Sequence, residues 1–177
     1  MKVVAAKEMG RIERAAYAAG AKEEAFMEEA GRGVAQYAGY LHKEKKITLL
    51  CGNGNNAGDA YVAGRLLQER GYSVKAYSLS PLEKCTPLCQ LQAKRFGKVN
   101  QIVTADELEL EGLLIDGILG TGFYGVVDGL FRDMIEKANA SKLPILSIDI
   151  PSGVNGTTGE VGGVAIRATF TLFLGLP

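Results

Sequence analysis

Short apolar runs alternate along the chain with longer segments in which apolar residues recur at helical spacing. Such runs indicate buried strands, whereas recurrence at every third or fourth position indicates amphipathic helices. Strands that alternate with helices are typical of an α/β fold, with a mostly parallel sheet covered on both faces. The predicted strands begin at Ile47 and cover 73–79, 99–103, 113–119, 143–150 and 168–174, and the predicted helices cover 6–19, 22–42, the segment after the first strand, 86–96 and 129–140.

Three of the predicted strands run into polar loops that contain glycine. These loops are Gly52–Asp59 (GNGNNAGD), Gly120–Gly125 (GTGFYG) and Asp149–Gly153 (DIPSG). The carboxyl ends of parallel strands lie at one edge of a sheet, and ligands bind in the crevice outside that edge. We therefore expect the three loops to meet around one ligand site.

The first of these loops precedes a predicted helix, where free backbone N–H groups can bind an anion such as a phosphate. It is not a P-loop, because neither the loop nor the helix after it contains a lysine. Gly52, Gly54 and Ala57 match the dinucleotide fingerprint loosely, but the next strand ends in serines and not in a ribose-binding acid. This disfavours a conventional NAD-dependent oxidoreductase, and a tight turn without a ligand stays open as an alternative.

Asp116 and Asp149 each belong to an apolar strand run, where an unpaired ionised carboxylate is costly. A bound cation or dense hydrogen bonding would relieve that cost. Asn56, Asp116 and Ser152 together offer one carboxylate and neutral oxygens, a set that favours a hard monovalent cation over zinc. Asp149 precedes a flexible turn, where a proton-transfer group would be useful. The alternatives are that Asp116 caps a turn and that Asp149 stabilises its own turn through backbone hydrogen bonds.

Composition narrows the classes of partner. The chain carries 20 basic and 20 acidic residues, so its formal net charge is zero, which argues against nucleic acid bound by bulk charge. No apolar run reaches the length of a membrane span, and the first residues lack the long apolar core of a secretory signal. The three cysteines suit a reducing cytosol better than a disulfide framework. We expect a cytoplasmic domain that binds neither nucleic acid nor a membrane.

The motifs GNGNNAGD, DGILGTGFYG and DIPSGVNGTTGE, in this order and spacing, resemble those of the NAD(P)HX epimerase family. This family forms the N-terminal domain of bacterial bifunctional nicotinamide-nucleotide repair enzymes. The segments AKEMGRIERAA and MEEAG look like its N-terminal helices, so the similarity covers nearly all of the chain. The resemblance implies one Rossmann-like three-layer α/β/α domain over residues 1–177. It also implies an isomerase that interconverts the R and S forms of NADHX and NADPHX, the hydrated and damaged forms of NADH and NADPH.

The resemblance further implies roles for the loop residues. Asp149 would contact the hydrated ring and act as the acid/base. Asn56, Asp116 and Ser152 would bind K⁺, in agreement with the argument from oxygen ligands. The residues that would bind NAD(P)HX are Asn55, Asn56, Ala57, Gly58, Asp59, Gly120, Thr121, Gly122, Phe123, Tyr124, Gly125, Val126 and Asp149.

The sequence departs from the family pattern in three places. Ala57 and Ala60 replace the usual glycines, and MEEAG replaces the usual MENAG. We expect the methyl group of Ala57 to lie where the backbone approaches the ligand, and so to affect affinity more than fold. Family members also usually continue past residue 177 through a lysine and one further strand. We therefore expect the last strand to be missing, with no dehydratase domain within residues 1–177.

The resemblance implies partners as well as a substrate. A dehydratase that uses ATP or ADP, either fused or separate, would consume the S form, and members of the family often form homodimers. The alternative from another class is a non-catalytic binding or dimerisation scaffold, a role that domains of this fold also have. The enzyme is favoured by the presence of Asn56, Asp116 and Asp149. A scaffold would not need a set of cation ligands together with an acid/base residue.

Overall fold

The computed structural model describes residues 6–174, with side chains described from residue 8 onward. Within this range six strands form one sheet in the order β3-β2-β1-β4-β5-β6, and all five strand pairs are parallel. The strands are β1 (Lys46–Cys51), β2 (Ser73–Ser78), β3 (Asn100–Gln101), β4 (Leu113–Gly117), β5 (Ile145–Ile148) and β6 (Phe170–Leu172), and the helices are α1 (Ala6–Ala18), α2 (Glu23–Leu41), α3 (Asn55–Glu69), α4 (Pro87–Phe96) and α5 (Gly129–Ala140). The predicted α/β fold class is confirmed.

Helices cover both faces of the sheet. Side chains of successive strand residues point to opposite faces, so Leu49 and Leu50 of β1 belong to different cores. Leu49 packs in a core with Val34 of α2 and Ala63 of α3, whereas Leu50 packs in a core with Met134 of α5. All five side chains are fully buried, which makes the domain a three-layer sandwich. None of the helices within residues 6–174 has the length and hydropathy needed to cross a membrane.

Several strands are shorter than their apolar runs predict. The run 143–150 forms a strand only over Ile145–Ile148, because Pro144 has no N–H for the ladder and Asp149 turns to a φ of 65°. The run 99–103 pairs only at Asn100–Gln101, since β3 lies at the sheet edge with β2 as its one neighbour. Apolar runs therefore continue past strand ends into residues that pack over the edge.

The ligand crevice expected of this fold lies between β1 and β4. The chain winds outward from β1 through β2 and β3, then returns to β4 and winds the other way, so the strand order reverses at this point. Directly after β1, the N–H of Gly52 donates to the carbonyl of Gly117 at 3.1 Å. A Cβ atom on Gly52 would lie 1.9 Å from the carbonyl oxygen of Ile118, so only glycine fits this close approach.

Candidate active site

Asp116 is a fully buried hydrogen-bond acceptor at the carboxyl end of β4. Its carboxylate accepts hydrogen bonds from the Ser147 hydroxyl at 2.7 Å, the Ser152 N–H at 2.9 Å and the Ile118 N–H at 3.2 Å. The Ser152 hydroxyl donates to Asp116 Oδ1 at 2.5 Å, the oxygen that also accepts from Ile118. Burial raises the pKa of Asp116, and these hydrogen bonds, those from Ser152 foremost, lower it. Among the described residues, neutral hydrogen-bond donors thus stabilise the ionised form of Asp116.

Asn56 and Ser152 converge on the backbone of Leu119, and Ser152 connects Asp116 to it. The side-chain amide of Asn56 donates to the Leu119 carbonyl at 3.0 Å, and the Leu119 N–H donates to the Ser152 hydroxyl at 2.8 Å. That hydroxyl also lies 3.1 Å from the Leu119 carbonyl oxygen. Gly120 packs against Asn56, because a Cβ at position 120 would lie 3.3 Å from the Asn56 Cβ. The three residues predicted as cation ligands therefore lie in one place.

The chemistry of this donor set fits a hard monovalent cation. It comprises the Asp116 carboxylate, the Ser152 hydroxyl, the Leu119 carbonyl and the side-chain amide of Asn56, whose nitrogen donates to that carbonyl and whose oxygen is the potential ligand. No cluster of three or more His, Cys, Asp or Glu side chains suited to a metal occurs in the part of the chain that the structure describes. The set is therefore compatible with K⁺ and unlike the sulfur and nitrogen sites that zinc prefers.

Asp149 lies in a different environment, half-buried at the end of β5. Its positive φ turns the chain out of the strand, and its N–H donates to the Leu172 carbonyl at 2.8 Å. Its carboxylate accepts from the Leu174 N–H at 3.3 Å and from the Thr121 hydroxyl. Burial raises the pKa of Asp149, and these two hydrogen bonds lower it in part. Asp149 is therefore easier to protonate than an exposed aspartate.

A second acid, Asp59 on α3, lies close to Asp149. Burial, the charge of Asp149 and the charge of Glu13 on α1 together raise the pKa of Asp59 to about 8. The pKa of Glu13 is raised as well, first by burial and then by the charges of Asp149 and Glu23. We call the cluster of Asp59, Asp149 and Glu13, whose charges affect one another, the acid notch. Like charges in one notch oppose ionisation, so Asp59 retains its proton at neutral pH.

The loop after β1 presents the start of α3 to the crevice. The N–H groups of Ala57 and Gly58 both donate to the Gly54 carbonyl, at 3.2 and 3.4 Å, and no side chain caps the helix. The first N–H groups of α3, on Asn55 and Asn56, are thus the ones oriented for an anion. Ala57 is fully buried in the core, so the expectation that its methyl group faces the ligand is wrong.

The loop Gly120–Val126 divides into two parts. Gly120 and Thr121 lie beside Asn56 and Asp149, at the acid notch. Tyr124 and Val126 are 82% and 72% exposed, and Gly125 and Val126 line a separate open groove of about 540 Å³. The structure therefore brings only the first part of this loop to the notch.

Sequence reasoning missed Glu13, Ser147 and Leu119 as members of the site. Ser147 pairs with Asp116 in the β4–β5 register, which no pattern in a single strand reveals. Glu13 lies in the notch because of the way α1 packs on the domain, which the sequence does not show. Leu119 takes part only through its backbone, so its side chain gives no signal. The serine inside the apolar run LPILSIDI was the one signal that the sequence offered.

The fold and the site define a Rossmann-like α/β domain with an acid-lined ligand crevice at its topological switch point. The model of the family described as "YjeF-related protein N-terminus" matches residues 23–177. The chain belongs to this family. The crystal structure of the yeast protein ynu0 superposes with a TM-score of 0.80 at 22% identity, over 97% of this chain and 79% of that one, which supports the fold.

Curated relatives are similar over most of the chain. It is 36% identical, over 100% of its length, to the bifunctional NAD(P)H-hydrate repair enzyme Nnr of Thermofilum pendens. It is 35% identical over 86% of its length to the NAD(P)H-hydrate epimerase of Rhodopirellula baltica, and 34% identical over 99% to that of Elusimicrobium minutum. The chain spans 36%, 65% and 86% of these three relatives, respectively.

Proposed function

We propose that this chain is an NAD(P)H-hydrate epimerase that interconverts the R and S forms of NADHX and NADPHX. The observation that carries the proposal is the acid notch, in which Asp149 and Asp59 lie near the convergent side chains of Asn56, Asp116 and Ser152. The names of the relatives support the substrate class.

The proposed binding mode follows from the elements around the crevice. The phosphates of the substrate bind at the start of α3, where the N–H groups of Asn55 and Asn56 carry partial positive charge. The hydrated ring then lies in the acid notch, between Asp149 and the backbone of Gly120 and Thr121. Gly117 supports this arrangement because its lack of a side chain lets α3 approach the sheet edge, and Gly52 lets the loop after β1 approach Ile118.

In the proposed reaction the hydroxyl group leaves one face of the ring and water returns to the other. Protonated Asp149 gives its proton to the hydroxyl, the C–O bond breaks towards oxygen, and water departs. The lone pair of the ring nitrogen forms a C=N⁺ bond that stabilises the resulting cation. Water then attacks the opposite face and loses a proton to the Asp149 carboxylate, so atoms and charge balance. Asp59, with a pKa of about 8, holds a proton at neutral pH and limits the negative charge of the notch.

Asn56, Asp116 and Ser152, with the carbonyl of Leu119, are the residues that would hold K⁺. When bound, the ion would offset the buried charge of Asp116 and offer a positive site to substrate oxygens. The residues themselves fix the position of the loop at Leu119, and through it the position of Gly120 and Thr121 at the notch.

The product chemistry suggests a partner. The relatives named bifunctional repair enzymes support the proposal that a dehydratase, fused to the epimerase or separate from it, consumes the S form. We also keep a homodimer as a proposal, because the fold leaves Tyr37 and Tyr40 exposed on α2.

A coupled assay tests the proposal. Purified R-NADHX is mixed with the chain and an S-specific dehydratase, and NADH recovery is followed by absorbance with K⁺ or with a tetraalkylammonium salt of equal ionic strength. We expect recovery well above the spontaneous rate, with a further increase in K⁺. Recovery at the spontaneous rate in both salts would contradict the enzyme and favour the scaffold.

A further inference from the structure

An open groove of about 540 Å³ lies on the β2 side of the switch point, between the start of α3 and the start of α4. It adjoins the acid notch through Asn55, which both lines the groove and belongs to the loop after β1. The side chains that line it are Glu23, Glu24, Asn55, Thr86, Pro87, Leu88 and Leu91.

This groove lies beside the glycine-rich turn after β1, where the Thr86 N–H donates to the Asn53 carbonyl at 2.9 Å, and in dinucleotide-binding folds the adenosine ribose binds near that turn and the end of the second strand. In those folds an acid at the end of the second strand binds the ribose 2′-hydroxyl group when the ligand is NAD. Here β2 ends in Ser78, whose hydroxyl donates to the Ser80 carbonyl at 2.7 Å, and both residues are buried. The strand end therefore offers no acid to the ribose.

Helix α2 supplies carboxylates to the groove in place of the missing acid. Glu23 accepts a hydrogen bond from the Asn55 amide at 3.0 Å, and Asn55 in turn accepts one from the Thr86 hydroxyl at 2.8 Å. This chain of hydrogen bonds holds the carboxylate of Glu23 against the wall of the groove. The position of Glu23 is thereby tied to the loop that is expected to bind the substrate.

The charges at the groove oppose a phosphate. Recognition of the 2′-phosphate of NADP usually requires an arginine, and neither arginine nor lysine lines the groove. Arg95 is held by Glu24 at 2.6 Å and lies 3.7 Å from Glu28, so it is already shared by two carboxylates. The second groove, beyond the loop Gly120–Val126, contains Glu160 and likewise no basic side chain in its lining.

We propose that the carboxylates of α2, chiefly Glu23 and Glu24, make this chain selective for NADHX over NADPHX. Glu23 accepts a hydrogen bond from the ribose 2′-hydroxyl group, whereas a 2′-phosphate, with a charge of about −1.5 to −2, is repelled. The apolar side chains of Leu88 and Leu91 contact the adenine. This inference rests on the proposed function, of which it specifies the substrate.

The first test compares kcat/KM for R-NADHX and R-NADPHX. We expect the wild type to favour R-NADHX by at least about tenfold at low salt, because like charges at a binding site cost several kcal/mol. The ratio should fall in 0.5 M salt, which shortens the screening length to roughly 4 Å. The double variant Glu23→Gln, Glu24→Gln should lower the ratio, mainly through faster use of R-NADPHX as Arg95 is released. The exposed carboxylate Glu44 provides the control, Glu44→Gln, which should leave the ratio unchanged.

The second test is binding and does not depend on catalysis. Titration with 5′-AMP should shift the NMR methyl signals of Leu88 and Leu91, and adenosine 2′,5′-bisphosphate should bind at least about tenfold more weakly. Equal or tighter binding of the bisphosphate, no shift at these leucines, or equal kcat/KM values would overturn the inference. If the wild type epimerises neither substrate, the proposed function fails, and the binding comparison alone decides whether the groove selects against a 2′-phosphate.

Discussion

Asp116 and Asp149 lie at the carboxyl ends of neighbouring strands, yet the protein surrounds them differently. Asp116 is fully buried and accepts hydrogen bonds from Ser147, Ser152 and Ile118. Asp149 is half-buried, accepts from Leu174 and Thr121, and shares its notch with the acid Asp59. Neutral donors fix the position of the Asp116 carboxylate. The Asp149 carboxylate lies instead near Asp59, an acid that is protonated at neutral pH. The comparison teaches that burial raises the pKa of both acids, and that Asp116 has more hydrogen-bond donors than Asp149 to offset the rise.

The largest structural effect should come from Asp116→Ala. The substitution leaves the hydroxyl of Ser147 and the N–H groups of Ser152 and Ile118 without their acceptor, inside the protein. We expect the free energy of unfolding to fall by about 3 kcal/mol, which urea denaturation would measure. Asp133→Ala, at an exposed position of α5, is the matched control and should change it by less than about 0.5 kcal/mol. A loss as small as that of the control would remove Asp116 from its structural role.

A smaller and pH-dependent effect is expected from Asp59→Asn. The pKa of Asp59 rises from 3.8 to about 8, so ionisation of this group disfavours the folded state. The wild type therefore loses stability as pH rises from about 4 to about 8. The asparagine variant does not lose stability in this way. The difference between its Tm and that of the wild type should therefore increase up to about pH 8 and stay constant above it. Parallel Tm curves for the two proteins between pH 5 and pH 9 would show that Asp59 titrates normally.

The smallest effect, a shift in the pH profile of kcat/KM, should come from Thr121→Val, which removes a hydrogen bond to Asp149. Burial raises the pKa of Asp149, and the hydrogen bond from Thr121 partly offsets that rise. Without the hydroxyl the pKa should rise further, and the basic limb of kcat/KM should move to higher pH by a fraction of a unit. Thr121→Ser keeps the hydroxyl and should restore the wild-type profile. A shift to lower pH would contradict the role assigned to Thr121.

The sequence predicts the fold and the meeting of the loops because both follow from local patterns. Parallel strands end at one edge, so Asn56, Asp116 and Ser152 could be expected to converge there, as they do around Leu119. Ser147 could not be assigned, because its contact with Asp116 depends on the pairing register of two strands. Glu13 could not be assigned either, since its place depends on how α1 docks.

The error at Ala57 has the same origin. The glycine pattern of the loop indicates that the backbone approaches a ligand, but it does not indicate which way a side chain at each position points. In the structure Ala57 and Ala60 are fully buried, and a Cβ at Gly117 would lie 2.8 Å from that of Ala60. The two methyl groups therefore fill the space between α3 and β4, and the alanines affect core packing and not the ligand surface.

The most direct test compares how fast the wild type and the Asp149→Asn variant interconvert the two epimers. Asparagine tolerates the positive φ at this position, so the variant should fold with a Tm close to that of the wild type. Chromatography of pure R-NADHX incubated with each protein measures the approach to the R/S equilibrium without a coupling enzyme. We predict rapid equilibration by the wild type and a kcat lower by a factor of about 10² to 10⁴ for the folded variant. Equilibration by Asp149→Asn at the wild-type rate would contradict the assignment of proton transfer to this carboxyl group.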